Sequence, residues 1–454
     1  MPLDFENVMK QLILLWTDKV EGLSLGSALF HLADFVWQAI GEATAKSGAY
    51  IPSVFTGRPP NCAEPKGAAT ADSWSFWLLY LGPRLLARHF KSEVYYRHFV
   101  RLSQLVHKCL QFELSGQDIC DIREGFQSWV EDFERLYYQY QPERVSICTI
   151  NIHALLHIAD SIKAMGPVWT YWAFPMERYC GKLQRMMRSR RFPWSNLDAQ
   201  VLANAQLDHI KLRYNIDQEL SLRPAKAETV RGQFSHRDYG SYVLLPKCLP
   251  SSTVTPTMAD RIVAHLATRY DLTKPDVSAV FSTEFVTQYA AIRRLEGGDE
   301  MHAAALLRRH SRTGDDRDRT FIKCVLVEDR NRNFRNLPID PYTSVYYARL
   351  LNIFVVSLPC AVAAYMDASR QQTLEPTVLI LAHIQTCKTT GQVDPFCDAP
   401  VYKQLSTVTE VVDVSTVQCL VGRTPLVTLS SGGTEWCIVD RSSDTIMPIF
   451  EGND

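Results

Sequence analysis

The sequence contains twelve cysteines but no Cys-x-x-Cys pair and no regular cysteine framework. That argues against a disulfide-stapled secreted scaffold and for reduced, mostly buried thiols. No signal peptide stands at MPLDFENVMK, so a soluble intracellular chain is expected. The longest apolar run, residues 350–366, is interrupted by Asn352, Ser357 and Pro359. It falls short of the ~20 residues that span a membrane, and it reads as core strands. Excess charge of one sign is missing too. The net charge of −1 says nothing global about nucleic acid, so any basic surface must be local. There is no internal repeat and no low-complexity tract. What remains is 454 residues with 46% hydrophobic content, enough for two or three domains with real cores.

The periodicity divides the chain. Residues 1–215 read as a large α-helical block. Val8, Leu12, Ile13, Leu15 and Trp16 mark the first apolar face, and a proline-rich irregular connection covers residues 50–72. Ser115 and Asp118 fit a capping box. The helix that follows should bury Ile119, Ile122, Phe126, Trp129, Val130, Phe133, Leu136 and Tyr137. Residues 216–319 read as a linker, rich in Pro, Ser and Thr over 222–257. It has helical patterns near Met258–Tyr270 and Val277–Leu295, then a solvated charged segment from Gly297 to Arg319. From 320 to 450 the texture changes to short β-branched runs between turns, which argues a small β-rich C-terminal domain, a sheet or open barrel. The fold class expected is α+β.

The stretch NIHALLHIADSIKAMGPVWTYWAFPMERYCGKLQRMMRSRR, residues 151–191, organises the rest. It reads as helix, Gly166-Pro167 break, extended aromatic segment, and a second helix starting near Pro175 with Glu177 in its first turn. His153 and His157 lie one turn apart and could share a metal. No Glu sits between them and no Cys cluster is near, so the pair is read as satisfied core residues and no metal is assigned. Arg178, Lys182, Arg185, Arg188, Arg190 and Arg191 load the second helix with positive charge that suits phosphate contact, or merely a solvated face. Glu177 is either a helix-end carboxylate beside Arg178 or a residue kept for chemistry. His153, Asp160, Trp172 and Glu177 are expected to be held together by packing, with the aromatic segment turned back on the first helix.

The same stretch resembles a block of CACTA (En/Spm-type) transposases and their fungal relatives. The pattern N-x-H-x-L-x-H-x-x-[DE], then G-P-[VL]-x-x-[FY]-W-x-F-x-x-E-R-[YF]-x-G-x-L, stands here on Asn151, His153, His157, Asp160, Gly166, Pro167, Trp172 and Glu177. Upstream, ATADSWSFWLLYLGPRLL is similar to the family's T-A-x-x-W-x-x-W helix, and weaker likeness continues through RDRTFIKCVLVEDRNRNFR, VVDVSTVQCLVGR and CIVDR. The resemblance implies the helical insertion and last acidic helix of an RNase H-like fold. It implies Glu177 as the final carboxylate of a two-metal phosphoryl-transfer site, Mg²⁺ as the cofactor of an intact parent enzyme, DNA as partner and a nuclear location.

The family's first two catalytic aspartates, the second in an Asp-x-Met-His-type block, have no counterpart in the chain, and zinc-type DNA-binding modules are absent as well. One carboxylate cannot hold two divalent ions, because each needs several oxygen ligands. The expectation is therefore a transposon-derived C-terminal half without strand-transfer activity or cofactor of its own, retaining DNA association. The alternative is a protein-interaction scaffold whose β-rich domain binds a partner, with no nucleic-acid role.

Overall fold

The structure is a computed structural model, which describes residues 2–23, 28–64, 70–189, 191–216, 219–220, 232–306, 316–331, 337–338, 340, 341–367, 376–394, 397–427 and 434–442. Helices dominate as far as residue 214. They are α1 (Pro2–Trp16), α2 (Asp34–Ser47), α3 (Ala71–Phe76), α4 (Gly82–Leu85), α5 (Glu93–Cys109), α6 (Gly116–Phe133), α7 (Ile150–Ala154), α8 (Ile158–Met165), α9 (Phe174–Met186) and α10 (Pro193–Tyr214). A π-helical turn at Trp77–Leu81 joins α3 to α4, and a second at Glu134–Tyr138 extends α6.

The core of this region is aromatic. Trp16, Phe99, Phe126, Trp129, Phe133 and Tyr137 are almost wholly buried. Trp16 meets Phe99 edge-on at 5.6 Å and 84°, while Trp129 stacks on Phe133 at 5.7 Å and 27°. The buried indole of Trp16 donates to Tyr137 Oη at 3.2 Å, so its N–H is not stranded. Gly82 is needed where α4 crosses α5: a Cβ there would fall 2.7 Å from the Phe99 ring and 2.8 Å from Trp77. The capping box forms at Ser115 and Asp118, and α6 buries the expected face, with Ile119 only half-buried at its start.

Among the described residues, the second half builds one antiparallel sheet of eleven strands. Its members are β1 (Tyr242–Leu249), β2 (Val286–Arg294), β3 (Glu300–His302), β4 (Phe321–Asp329), β5 (Pro341–Leu358), β6 (Thr377–Asp394), β7 (Cys397–Leu405), β8 (Glu410–Asp413), β9 (Val417–Leu420), β10 (Gly422–Pro425) and β11 (Trp436–Val439). The main path runs β1-β2-β5-β6-β7-β11-β10. The two 18-residue strands change partners along their length. β5 pairs with β4 from Pro341 to Arg349 and with β2 from Ile353 to Val356, while β6 leaves β5 for β7 after Cys387. Irregular register at these crossings bends the strands, and the sheet coils into a half-barrel.

Helices α11 (Pro256–Arg269) and α12 (Lys274–Val280) cover one face, setting Ile262, Leu266 and Val277 against Phe354, Val356 and Leu381. A short helix, α13 (Cys360–Met366), follows β5. The run read as core strands over 350–366 is therefore strand only to Leu358. Pro359 has no N–H to continue the ladder and caps α13 instead.

Three further expectations change. The linker over 216–319 supplies β1, β2 and β3 to the sheet. Strand β1 carries Pro246 at an irregularity between Leu245 and Cys248 on the sheet's outer edge, the place where a strand tolerates proline. The helix expected over Val277–Leu295 ends at Val280. After a short 3-10 turn over Thr283–Phe285 the rest becomes β2, held by ladders to its neighbours β1 and β5. The charged segment is not wholly solvated either: Arg317 donates to the Thr56 carbonyl at 2.7 Å and Arg319 to Ser53 Oγ at 2.7 Å.

Sheet and helices share a core. Ala399 and Val401 of β7 and Cys437 and Val439 of β11 join the helical cluster, and buried Arg84 of α4 donates Nε to the Ile438 carbonyl at 3.0 Å. No described cysteine forms a disulfide. Cys109, Cys324, Cys387 and Cys437 are buried, but Cys120, Cys148, Cys180 and Cys248 are exposed, so burial of thiols is less general than expected. No described helix is long and apolar enough to cross a membrane.

Candidate nucleic-acid interface

Residues 150–165 form α7, a tight 3-10 turn over Leu155–His157, and α8. The apolar residues Ile152, Leu155, Ile158, Ala159 and Ile162 take the inward face against the helical core. His153 and His157 are left on the outward face, exposed, with their Nε2 atoms 3.1 Å apart. The pair was expected in the core; the inward positions go to the better-packing aliphatic side chains. Asp160 is exposed and pairs with Arg123 of α6 at 2.7 Å, which holds its carboxyl below the usual carboxylate range. Among the described residues, no three His, Cys, Asp or Glu side chains stand together as a metal site.

Gly166 has φ of +87°, a conformation that glycine adopts without strain, and Pro167 then blocks further helix. The aromatic segment opens with a short 3-10 turn over Val168–Thr170 rather than an extended run. It turns back as far as Met165, whose carbonyl accepts from Thr170 Oγ1 at 2.9 Å. Val168 is buried in the helical core, and Trp169 Nε1 donates to the carbonyl of Phe112, in the connection after α5, at 3.0 Å. Trp172 is half-buried and meets Phe174 edge-on at 5.2 Å. His153 and Asp160 are exposed on α7 and α8 while Trp172 and Glu177 line a cavity together, so the four do not form the single packed unit expected of them.

Pro175 sits in the first turn of α9, and Glu177 follows where the helix dipole favours a carboxylate. Glu177 and Arg178 stand at one wall of a cavity of about 510 Å³. Phe55, Leu79, Val106 and Trp172 supply apolar lining, and Asp72 of α3 and Arg441 add charge. The Asp72 carboxylate already accepts the Thr56 hydroxyl at 2.9 Å.

Beyond this wall α9 and α10 form a helical hairpin in which no described residue is buried. Arg188 N donates to Asn196 Oδ1 at 2.8 Å and Phe192 N to Ser189 Oγ at 3.1 Å, which shapes the turn between them. Arg178, Lys182 and Arg185 recur at four- and three-residue steps and share one helix face. Arg188 and Arg191 continue the charge through the turn, and all five are exposed. Arg190 lies outside the described residues.

The sequence patterns single out no residue of the hairpin beyond Arg191. Helix α10 has no single apolar face: Trp194, Leu202, Ile210, Leu212 and Tyr214 are all exposed, with polar side chains mixed among them round the helix. The signal in the sequence is the lack of any amphipathic stripe that would seat this helix on a core. Arg441 and Asp72 lie far from the organising stretch in sequence, and only the folded chain brings them to Glu177. Compared with protein-family models, with curated proteins and with solved structures, the chain matches none.

Proposed function

We propose that the chain is a transposon-derived protein that associates with nucleic acid through the α9–α10 hairpin and does not itself transfer strands. The observation that carries the reading is the local charge. Residues 174–214 hold eight Lys and Arg against three Asp and Glu, in a chain whose net charge is −1. Exposed cations on a segment with no core of its own are placed to meet phosphates, whose counterions they release. The transposase ancestry rests on the residues Asn151 to Glu177, with the helical region descending from the insertion and last acidic helix of an RNase H-like parent. In that reading Glu177 is a former catalytic carboxylate, Mg²⁺ belongs to the intact parent alone, and the protein works in the nucleus.

The test is titration of labelled DNA at several salt concentrations, with wild type and the triple variant Arg185→Glu, Arg188→Glu, Arg191→Glu. Affinity should fall steeply with salt, with a log–log slope of about −0.9 per phosphate neutralised, and the variant should lose most of it. Unchanged affinity in the variant would remove the hairpin from the interface.

A second reading has its own observation. Leu202, Ile210 and Leu212 are exposed on α10, and such apolar exposure favours a protein partner. Binding of a protein that is insensitive to salt and lost on Leu212→Glu would favour it.

A further inference from the structure

We infer that the α9–α10 hairpin takes single-stranded nucleic acid in preference to duplex, an inference that rests on the nucleic-acid reading just given. Four aromatic side chains stand out in water among its cations: Tyr179 at 45% exposure, Phe192 at 61%, Trp194 at 74% and Tyr214 at 64%. A single exposed ring is ordinary, but these four stand on one hairpin whose helices bury nothing. They are interleaved with charge. Arg191 lies 5.3 Å from the Phe192 ring and Arg213 lies 5.9 Å from Tyr214, so guanidinium and ring are presented side by side at both ends of α10. That end-to-end separation is about 30 Å along a 22-residue helix.

Duplex DNA offers this surface its phosphates only, because the base faces are stacked on one another and closed to the rings. An unpaired strand offers phosphates and open base faces together. Each base that stacks on an aromatic side chain adds roughly 5- to 100-fold in affinity, whatever its sequence. The cations alone would suit either form; the rings suit only one. DNA and RNA single strands share this chemistry and differ by the 2′-hydroxyl.

The experiment measures anisotropy of labelled oligothymidylate, oligouridylate and a dT·dA duplex at one salt concentration. Each has about 15 nucleotides per strand, longer than the ~9 that ~30 Å of helix covers. Wild type should bind one or both single strands at least about tenfold tighter than duplex, and the two single-stranded arms show which sugar is preferred. Trp194→Ala should weaken single-strand binding about tenfold and leave duplex binding unchanged. Its side chain lies in water, so folding is retained, and circular dichroism checks this. Equal affinity for strand and duplex, or an equal loss on both in Trp194→Ala, would overturn the inference while leaving the nucleic-acid reading standing. No binding to any of the three would overturn both. In that case, self-association abolished by Trp194→Ala would assign the rings to a second copy of the chain.

Discussion

Arg423 and Asp318 form an ion pair of 2.9 Å inside a box of aromatic rings, each side chain only 16% exposed. The guanidinium carbon lies 4.0 Å from the Phe321 ring, 4.4 Å from Trp436 and 4.9 Å from Tyr50, and Nη1 donates to Tyr402 Oη at 3.1 Å. Tyr50 follows α2, whereas Phe321, Tyr402 and Trp436 belong to β4, β7 and β11. One side chain therefore pins the helical region to the sheet.

Arg423→Ala should destabilise the protein by about 3–5 kcal/mol, because it leaves the Asp318 carboxylate with Thr320 but without its cation and empties the box. Arg423→Lys keeps the charge but not the planar fork that stacks on the rings, and should recover only part of the loss. Urea melts of both variants check the order. A loss of under ~1 kcal/mol for Arg423→Ala would mean the two regions hold together by their apolar contacts alone.

Acid should unfold the protein through its buried histidines. His98 is stacked on Trp129 at 4.3 Å, and burial pushes it down to about 4; burial does the same to His107 and His383. These rings are neutral in the native state, while in the unfolded chain they titrate near 6.5. Between about 6.5 and 4 the unfolded chain binds more protons, so stability is fully present above that window and is lost as pH falls through it. His98→Phe, which keeps a ring on Trp129, should flatten the slope of stability against pH by up to ~1.4 kcal/mol per pH unit. Denaturant melts from pH 7.5 to 4.5 measure it, and an unchanged slope would refute the assignment.

Truncations should rank by depth. Trp129 is 1% exposed, and Trp129→Ala should cost about 3–5 kcal/mol. Half-buried Trp172 should cost clearly less. Glu177→Gln should cost a few tenths to about 1 kcal/mol, the worth of a carboxylate in a helix's first turn. If Glu177→Gln proves the most costly of the three, the carboxylate has a structural partner.

Purified protein incubated with DNA and Mg²⁺ or Mn²⁺ should leave it unnicked, since among the described residues Asp72 is the one other carboxylate lining the cavity of Glu177. Two ions held for in-line displacement need more acidic ligands than that. Cleavage that disappears in Glu177→Gln, seen on a denaturing gel, would show that other acids complete the site.

What the sequence determined by itself was local. The apolar spacing of α6 and its Ser115–Asp118 box, the start of α9 at Pro175, and the β-branched runs of β4, β5 and β6 are set by neighbours within a few residues, and they were legible there. The tertiary structure decided everything that depends on competition for the interior. It put His153 and His157 outside because Ile152, Leu155 and Ile158 fill the inward face better. It made a strand of Val286–Arg294 because β1 and β5 offered ladders on both sides, which no local propensity could foretell. It brought Asp72 and Arg441 to Glu177, and Arg423 to Tyr50, across separations of over a hundred residues. The hairpin α9–α10 shows the same rule in reverse: its residues could fill a core, but the interior was already filled by others, and their rings remain in the water.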